Sequence, residues 1–299
     1  MKRILTAAVL IPLVLLAVFR APLWLFLLIT LIVALTALFE YFGIVAAYGL
    51  EPFRLLGYIF TGALFLIYYY GAAAGVGALL AGLLLLFFFA PFLLLTASMG
   101  REELRSALPA AAMSYLALAY IGVPLLLTAI LRDFPRGWVY LVFTFLAVWV
   151  GDSAAMYVGK SIGRHKLSPR ISPGKTVEGT IGSLVFAVAI CCLFGHFLPE
   201  IVTGLTRLHL LDRESLLFEA PNYPRVPLWL AALLAAAINV AAQIGDLIES
   251  ALKRGAGVKD SGALLPGHGG ILDRIDAMLL ALPVAFLLFL AFGQKFVQG

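Results

Sequence analysis

The sequence predicts an all-α polytopic integral membrane protein with about nine transmembrane helices. The chain has 299 residues, of which 63% are hydrophobic and only 12% are charged, and its mean hydropathy is +1.05. Because soluble domains average about 25% charged residues, this chain has too little charge to cover a water-facing surface. Its apolar runs are long and unbroken, whereas membrane β-barrels alternate apolar and polar residues in short segments. The composition therefore indicates membrane helices.

Nine apolar runs approach or exceed the roughly 20 residues that a helix needs to cross the hydrocarbon core. They cover residues 4–19, 23–39, 55–70, 73–97, 107–131, 138–159, 179–198, 227–249 and 275–293. Lys2 and Arg3 precede the first run as they would in a signal peptide, but no polar region with a small-residue cleavage site follows. We therefore expect the first run to be a retained helix.

The distribution of Lys and Arg predicts a cytoplasmic N-terminus. With that end inside and the spans alternating, two-thirds of the 21 basic residues fall on the inner side. Most of these inner charges lie in the loops 160–175 and 250–274. Attraction to anionic headgroups explains a basic loop, but it does not explain the acidic residues mixed into the second loop. The sequence therefore places the chemistry at the cytoplasmic ends of the last helices.

The eighth span carries a polar stripe. Five residues at three- and four-residue steps share one helix face: Asn239, Gln243, Asp246, Glu249 and Lys253. Such a face contacts protein or a water-filled cavity, because a carboxylate that faces lipid costs a few kcal/mol. Hydrogen bonding across the helix bundle accounts well for the two amides, whereas Asp246 is better accounted for as the ligand of a cation.

Residues 253–278 combine glycines, basic residues and aspartates where the ninth span begins. Glycines let a backbone approach a ligand closely, exposed amides bind phosphate oxygens, and Lys and Arg supply the opposite charge. Asp273 and Asp276 lie three residues apart, and aspartates beside such bases suit Mg²⁺, which accepts one or two carboxylates together with substrate phosphate and water. Asp273 alone is equally well explained as a helix N-cap, but the loop as a whole is not.

A third group of polar residues runs from Trp149, near the end of the sixth span, to Glu178 in the loop region after it. Asp152 ends an apolar stretch, and Lys175 and Glu178 lie beside a Pro-Gly turn. Gly-Lys-Thr resembles the end of a phosphate-binding P-loop, but Pro169 stands where that motif needs its first glycine. His268 differs from the other histidines because glycines and charges surround it. Together the three groups predict a Mg²⁺-dependent phosphate-handling site, in which phosphate is transferred, hydrolysed or only bound.

These residues resemble the signature of the phosphatidate cytidylyltransferases (CDP-diacylglycerol synthases). The pattern consists of Ser250-x-Leu252-Lys253-Arg254, Lys259-Asp260-x-Gly262 and Leu265-Pro266-x-His268-Gly269-Gly270-Ile271-x-Asp273-Arg274-Ile275-Asp276. Upstream, Ser172-Pro173-x-Lys175-Thr176-x-Glu178-Gly179 is similar to a second family loop, and Asp152-Ser153 to a buried aspartate that precedes it. The first five spans match the family only as generic membrane helices.

The resemblance implies a nucleotidyltransferase of phospholipid biosynthesis that makes CDP-diacylglycerol and pyrophosphate from CTP and phosphatidate. It implies Mg²⁺ and a second, monovalent cation such as K⁺, with Asp246 and Asp273 as the main metal ligands and Asp152 and Asp276 as further candidates. The residues expected to bind phosphate are Lys175, Lys253, Arg254, Lys259, His268, Gly269, Gly270 and Arg274. The residues expected to act in catalysis are Asp246, Asp273, Lys253, Arg254 and Lys259.

The expected partners are CTP, phosphatidate and the lipid bilayer, with a homodimer and without nucleic acid. The expected location is the inner (plasma) membrane, crossed several times, with the active site on the cytoplasmic side. The whole chain, residues 1–299, is expected to form a single membrane domain. Within it, residues 1–137 form an N-terminal helical scaffold, and residues 138–299 supply the catalytic helices and the cytoplasmic loops.

Two other functions stay open from the sequence. A CTP-dependent lipid kinase of the polyprenol or phytol type would transfer the γ-phosphoryl group and release CDP. An ion-coupled transporter would use Asp152, Asp246 and Lys253 as a relay through the bundle. A transporter is expected to place such acids near the middle of the membrane, whereas here they lie near predicted helix ends.

Overall fold

The structure is a computed structural model that describes residues 2–211, 223–262 and 269–298. Eleven α-helices make up most of this part of the chain: α1 (Lys2–Arg20), α2 (Leu23–Ala47), α3 (Arg54–Ala74), α4 (Val76–Ser98), α5 (Leu104–Ala117), α6 (Val123–Asp133), α7 (Gly137–Ile162), α8 (Val177–His196), α9 (Leu198–Arg207), α10 (Leu228–Gly255) and α11 (Leu272–Gln298). A π-helical segment, Leu118–Gly122, joins α5 to α6. Two short strands, β1 (Lys166–Ser168) and β2 (Ser172–Thr176), form an antiparallel hairpin.

Within the described ranges, eight helical segments are long and apolar enough to cross a membrane. Seven of them are α2, α3, α4, α7, α8, α10 and residues 272–296 of α11, and the eighth runs without a break from Leu104 to Asp133. The part of α1 whose side chains are described, Leu10–Arg20, is a shorter apolar helix. These helices confirm the all-α polytopic membrane fold, and their number is consistent with about nine spans. The cytoplasmic position of the N-terminus stays a prediction.

Some helices extend beyond the boundaries that hydropathy predicts. The second span was expected to end at residue 39, but α2 continues to Ala47 because Glu40 is buried in the protein instead of facing water. Likewise, α10 continues past residue 249 and includes Glu249 and Lys253, which are also buried. Charged residues with partners inside the fold therefore do not end these helices. The β-hairpin and the short helix α9 were not predicted from the sequence.

The chain divides into two compact units. Unit 1 consists of Met1–Pro22, Ile130–Ile248 and Leu280–Gly299, and unit 2 consists of Leu23–Ala129 and Glu249–Leu279. Both α10 and α11 contribute residues to each unit. The expected division into a scaffold, residues 1–137, and a catalytic part, residues 138–299, stays a prediction.

Aromatic rings and backbone contacts hold unit 1 together. The rings of Tyr140 and Phe289 stack with 4.4 Å between their centroids, and the Tyr140 hydroxyl donates to the Gly293 carbonyl oxygen at 3.2 Å. At the end of α6, just before α7 begins, the Arg132 guanidinium donates to the carbonyl oxygens of Val18 and Ala21, at the end of α1. Carbonyls at a helix C-terminus have no partner within the helix, so this arginine satisfies groups that would otherwise need water.

Unit 2 is held together by hydrogen bonds between distant parts of the chain. The Tyr41 hydroxyl of α2 donates to the Met113 carbonyl oxygen of α5 at 3.1 Å. The Tyr48 hydroxyl, just after α2, donates to the Leu252 carbonyl oxygen at 2.9 Å. Since Leu252 lies in the last turns of α10, this bond fixes the end of α10 beside α2. The loop that follows α10 therefore starts from a defined position.

Candidate functional site

In unit 1, three charged residues that the sequence assigns to the site interact with one another. The Lys175 ammonium nitrogen lies 2.7 Å from the Asp246 carboxylate, and both side chains are about a quarter to a third exposed, at 25% and 30%. Asp152, on α7, is within electrostatic range of both residues. The structure thus brings together residues from α7, β2 and α10 that are far apart in the sequence. We call Asp152, Lys175 and Asp246 the first charged group.

The β-hairpin that carries Lys175 is fixed at its junction with α8. The Thr176 hydroxyl accepts a hydrogen bond from the Gly179 amide at 3.1 Å and so acts as the N-cap of α8. Glu178, in the first turn, accepts from the backbone amides of Arg164 and His165 and contacts His165 Nδ1 at 2.6 Å. His165, for which the sequence indicated no role, therefore helps to tie the hairpin to α8. This anchoring positions Lys175.

A network of buried polar side chains lies along α10, one to two turns before Asp246. The Asn239 amide nitrogen donates to the Ala147 carbonyl oxygen at 2.9 Å and to the Ser183 hydroxyl at 3.0 Å. Gln243 donates to the Asn239 amide oxygen at 2.7 Å. These bonds join α7, α8 and α10, so the two amides of the polar stripe have a packing role. They also fix the rotation of α10 and with it the direction of Asp246.

In unit 2, Lys253 is paired with two carboxylates. Its ammonium group forms ion pairs with Glu249, one turn earlier on α10, and with Asp273 at the start of α11. The side chains of Lys253, Glu249 and Asp273 are 10%, 0% and 11% exposed, so the three charges compensate one another away from water. We call these residues the second charged group. Two of its residues, Lys253 and Asp273, belong to the signature, and the structure pairs them directly.

The Asp273 carboxylate also binds the loop that precedes α11. It accepts hydrogen bonds from the Ser261 amide at 3.0 Å and from the Gly270 amide at 2.8 Å. Asp273 lies inside the first turn and reaches back to earlier amides, as the acidic residue of a capping box does. It is therefore not a simple N-cap, because an N-cap side chain accepts from amides that follow it.

The other residues predicted for the site lie around the second charged group or outside the described part. Arg254, Lys259 and Arg274 are exposed, and Asp276 is partly buried, with its carboxylate accepting from the Ala277 amide at 2.7 Å. Gly269 has a φ of +77°, a conformation that favours glycine, and Gly270 is buried. His268 lies outside the described residues.

We call the described residues between α10 and the first turn of α11, residues 256–262 and 269–273, the signature loop. One buried acid that contacts this loop was missed in the sequence. Glu40, in α2, is 3% exposed and accepts hydrogen bonds from Ser261, Ile271 and Leu272. The signal was present, because Glu40 is the one charged residue within the apolar sequence of α2. An ionisable residue inside a membrane helix points to a functional role, whereas hydropathy alone treats it as the end of a span.

The donor set of the first charged group fits Mg²⁺. Among the side chains that the structure describes, no three carboxylate, histidine or cysteine groups converge on one point. Mg²⁺ does not need such a cage, because it commonly binds one or two carboxylates and completes its shell with substrate phosphates and water. Asp246 and Asp152 provide two such carboxylates. The Lys175 ammonium, which is itself a cation, lies beside Asp246, as a bound metal ion would. For Asp273 and Asp276, metal binding stays a prediction.

Comparison with known proteins identifies a family and several relatives. The profile of the cytidylyltransferase family matches residues 1–292. The chain is 38% identical over 174 residues to the phosphatidate cytidylyltransferase of Staphylococcus saprophyticus, covering 58% of this chain and 57% of that protein. It is 37% identical over 179 residues to the phosphatidate cytidylyltransferase of Bacillus subtilis, covering 60% of this chain and 58% of that protein. The similarity thus spans less than two-thirds of the length of these relatives.

Proposed function

Because the chain belongs to the cytidylyltransferase family, we propose that it transfers the cytidylyl group of CTP to phosphatidate, giving CDP-diacylglycerol and pyrophosphate. One observation carries the proposal: acidic and basic residues predicted for the site lie in direct pairs, Lys175 with Asp246 and Lys253 with Asp273. Such pairs suit a phosphate substrate that arrives with a metal ion. The substrate phosphate can pair with the lysines in place of the carboxylates, while the metal ion binds the carboxylates in place of the lysines.

The reaction joins two anions, so its barrier is one of charge and alignment. A phosphate oxygen of phosphatidate attacks the α-phosphorus of CTP, and the bond from that phosphorus to the bridging oxygen of pyrophosphate breaks. Phosphatidate is already ionised near neutral pH, so the attacking oxygen needs no general base. Mg²⁺ held by Asp246 and Asp152 would neutralise charge on the triphosphate.

In this scheme, basic residues predicted for the site bind and orient the phosphates. Lys175 and Lys253 are held in place by carboxylates and by packing, so their positions are set before substrate arrives. Arg254, Lys259 and Arg274 are exposed and supply further positive charge for the phosphates of CTP and phosphatidate and for the departing pyrophosphate. Arginine can bind phosphate through two parallel hydrogen bonds. The backbone amides of Gly269 and Gly270 are further phosphate donors, together with His268.

The membrane location suits the two substrates. Phosphatidate keeps its acyl chains in the bilayer, whereas CTP is soluble, so a site near helix ends reaches both. We place this site on the cytoplasmic side of the plasma membrane, where CTP is available and where the basic loops are expected. A monovalent cation such as K⁺ as second ion and a homodimer complete the proposal.

Parallel reactions with CTP labelled at the α- or the γ-phosphate test the proposed function. Purified protein in detergent, with phosphatidate and Mg²⁺, is expected to move the α-label into lipid and to release the γ-label as pyrophosphate. Lipid that carries the γ-label, with release of CDP, would identify a lipid kinase and overturn the proposal. Reactions without phosphatidate provide the control, and no label is expected in their lipid fraction.

A further inference from the structure

Glu40 occupies an unusual place for a carboxylate. It lies within the apolar helix α2, is 3% exposed, and belongs to unit 2. Removing an ionised carboxylate from water costs several kcal/mol unless its oxygens receive hydrogen bonds or an opposite charge. Leucine or isoleucine would fill such a position in a membrane helix without this cost. The side chain must therefore be stabilised by the groups that surround it.

Among the described residues, the side-chain hydrogen bonds of Glu40 all come from the signature loop. One carboxylate oxygen, Oε2, accepts from the Ser261 hydroxyl at 3.0 Å and from the Leu272 amide at 2.7 Å. The other oxygen, Oε1, accepts from the Ile271 amide at 3.0 Å. The first amides of a helix have no partner within the helix and lie at the positive end of its dipole, so a carboxylate is well suited to the start of α11.

These contacts join two segments of the loop. Ser261 lies in the segment that follows α10, whereas Ile271 and Leu272 lie in the segment that leads into α11. Through one side chain, Glu40 therefore holds both segments against α2. The sequence separation is large, since Ser261 follows Glu40 by 221 residues along the chain.

Two signature glycines fit closely against Glu40. A Cβ atom at Gly262 would lie 2.7 Å from Glu40 Oε1. A Cβ atom at Gly270 would collide with Glu40 Oε2 and with the Ser261 hydroxyl. Real Cβ atoms do not approach other atoms so closely, so side chains at these positions would push the loop away from Glu40. The glycines therefore allow the loop to contact this acid.

The same segments reach the second charged group. The Ser261 amide donates to Asp273 while the Ser261 hydroxyl donates to Glu40. The Gly270 amide also donates to Asp273, which in turn forms the ion pair with Lys253. Ser261 thus connects Glu40 to Asp273, so a substitution at Glu40 is expected to alter the Lys253–Asp273 pair.

We propose that Glu40 is a positioning residue for the signature loop. Its carboxylate oxygens contact the loop, and the residue acts by fixing Ser261 and the start of α11, which set the direction of Asp273 and Lys253. This inference rests on the proposed cytidylyl transfer for its catalytic consequence. The loop contacts themselves do not depend on which reaction the protein catalyses.

Glu40→Gln keeps the size of the side chain but removes its charge and turns one acceptor into a donor. We expect kcat to fall about 100-fold, because a misplacement of about 1 Å has that effect on a catalytic arrangement. The KM for CTP is expected to change less than about threefold, since all the basic residues that bind phosphate remain in the chain. Thr36→Val is the matched control on the same helix, because the Thr36 hydroxyl bonds only to the Ile32 carbonyl one turn away among the contacts described. Its kcat should equal that of the wild type.

Ser261→Ala removes one contact of Glu40 and leaves the acid in place. We expect it to lower kcat by about tenfold, the effect of one charge-assisted hydrogen bond. Because both residues act through the same loop, the double variant should be no slower than Glu40→Gln. A double variant whose loss of kcat equals the product of the two single losses would overturn the proposal. Ser261→Ala also provides the test by itself if Glu40→Gln does not fold.

Amide hydrogen exchange tests the contacts without using activity. In intact protein in detergent, peptides that contain Ile271 and Leu272 should exchange at least about tenfold faster in Glu40→Gln than in the wild type, and Thr36→Val should not change them. Should the wild type transfer no cytidylyl group, the proposed function falls, whereas faster exchange would still support the loop contacts. Unchanged exchange, or faster exchange with an unchanged kcat, would overturn the positioning role.

Discussion

Replacing Asp246 with asparagine is expected to lower magnesium-dependent CTP turnover by about 10³-fold or more, the range seen when a group that stabilises transition-state charge is lost. The amide has the size of the carboxylate but no charge, so it binds Mg²⁺ weakly and no longer balances Lys175. The variant should still fold, because Asp246 is 30% exposed and the amide oxygen can still accept from Lys175. Initial rates over a series of Mg²⁺ concentrations measure the effect.

Glu200→Gln is the matched control for this variant. Glu200 also belongs to unit 1 and also forms an ion pair, with Arg225 at 3.1 Å, but it lies on α9 and outside the first charged group. The chemical change is the same, and the rate should stay within about twofold of the wild type because an exposed ion pair contributes little to stability. An Asp246→Asn enzyme with a nearly normal rate at saturating Mg²⁺ would remove Asp246 from the metal site.

Replacing Lys253 with methionine is expected to destabilise the protein and to abolish activity. The change leaves the carboxylates of Glu249 and Asp273 buried together without their shared counter-charge. Removing one partner of a buried ion pair lowers the free energy of unfolding by about 3–5 kcal/mol. Unfolding in detergent, followed by circular dichroism, measures this loss. Lys259→Met, which removes an exposed positive charge from the loop that follows α10, should change stability by less than about 0.5 kcal/mol.

A second substitution separates the stability of Lys253→Met from its activity. Adding Glu249→Gln removes the carboxylate that is fully buried, so the double variant should regain part of the lost stability. It should remain inactive, because the phosphate-binding ammonium is still absent. Lys253→Met protein that unfolds like the wild type would show that the three charges are not buried together. Recovery of activity in the double variant would exclude Lys253 from phosphate binding.

The membrane fold was predictable from sequence because apolar runs of this length and number are typical of membrane helices and not of soluble domains. The helix boundaries were less predictable, because a hydropathy analysis ends a span at a charged residue. Glu40 and Lys253 lie inside helices because each has partners within the protein. The partners of Glu40 come from a distant part of the chain, and hydropathy contains no information about partners at any separation.

The candidate site was predictable where its residues share a local pattern. Asp246 and Lys253 are separated by two helical turns on α10, and Asp273 starts α11 within the same signature. The pairing of Asp246 with Lys175 and of Lys253 with Asp273, and the contacts of Glu40 with the loop, depend on which elements pack together. Side-chain periodicity gives the face of a helix but not its neighbour. These contacts therefore required the structure.

Binding of an inert CTP analogue, with a methylene group between the α- and β-phosphates, tests most directly whether Asp246 and Asp273 each support magnesium-dependent binding of CTP. Calorimetry on the purified protein in detergent is expected to show that Mg²⁺ strengthens binding at least about tenfold, or by about 1.4 kcal/mol. We predict that Asp246→Asn and Asp273→Asn each lose this strengthening. Mg²⁺ that strengthens binding as much in either variant as in the wild type would contradict the account.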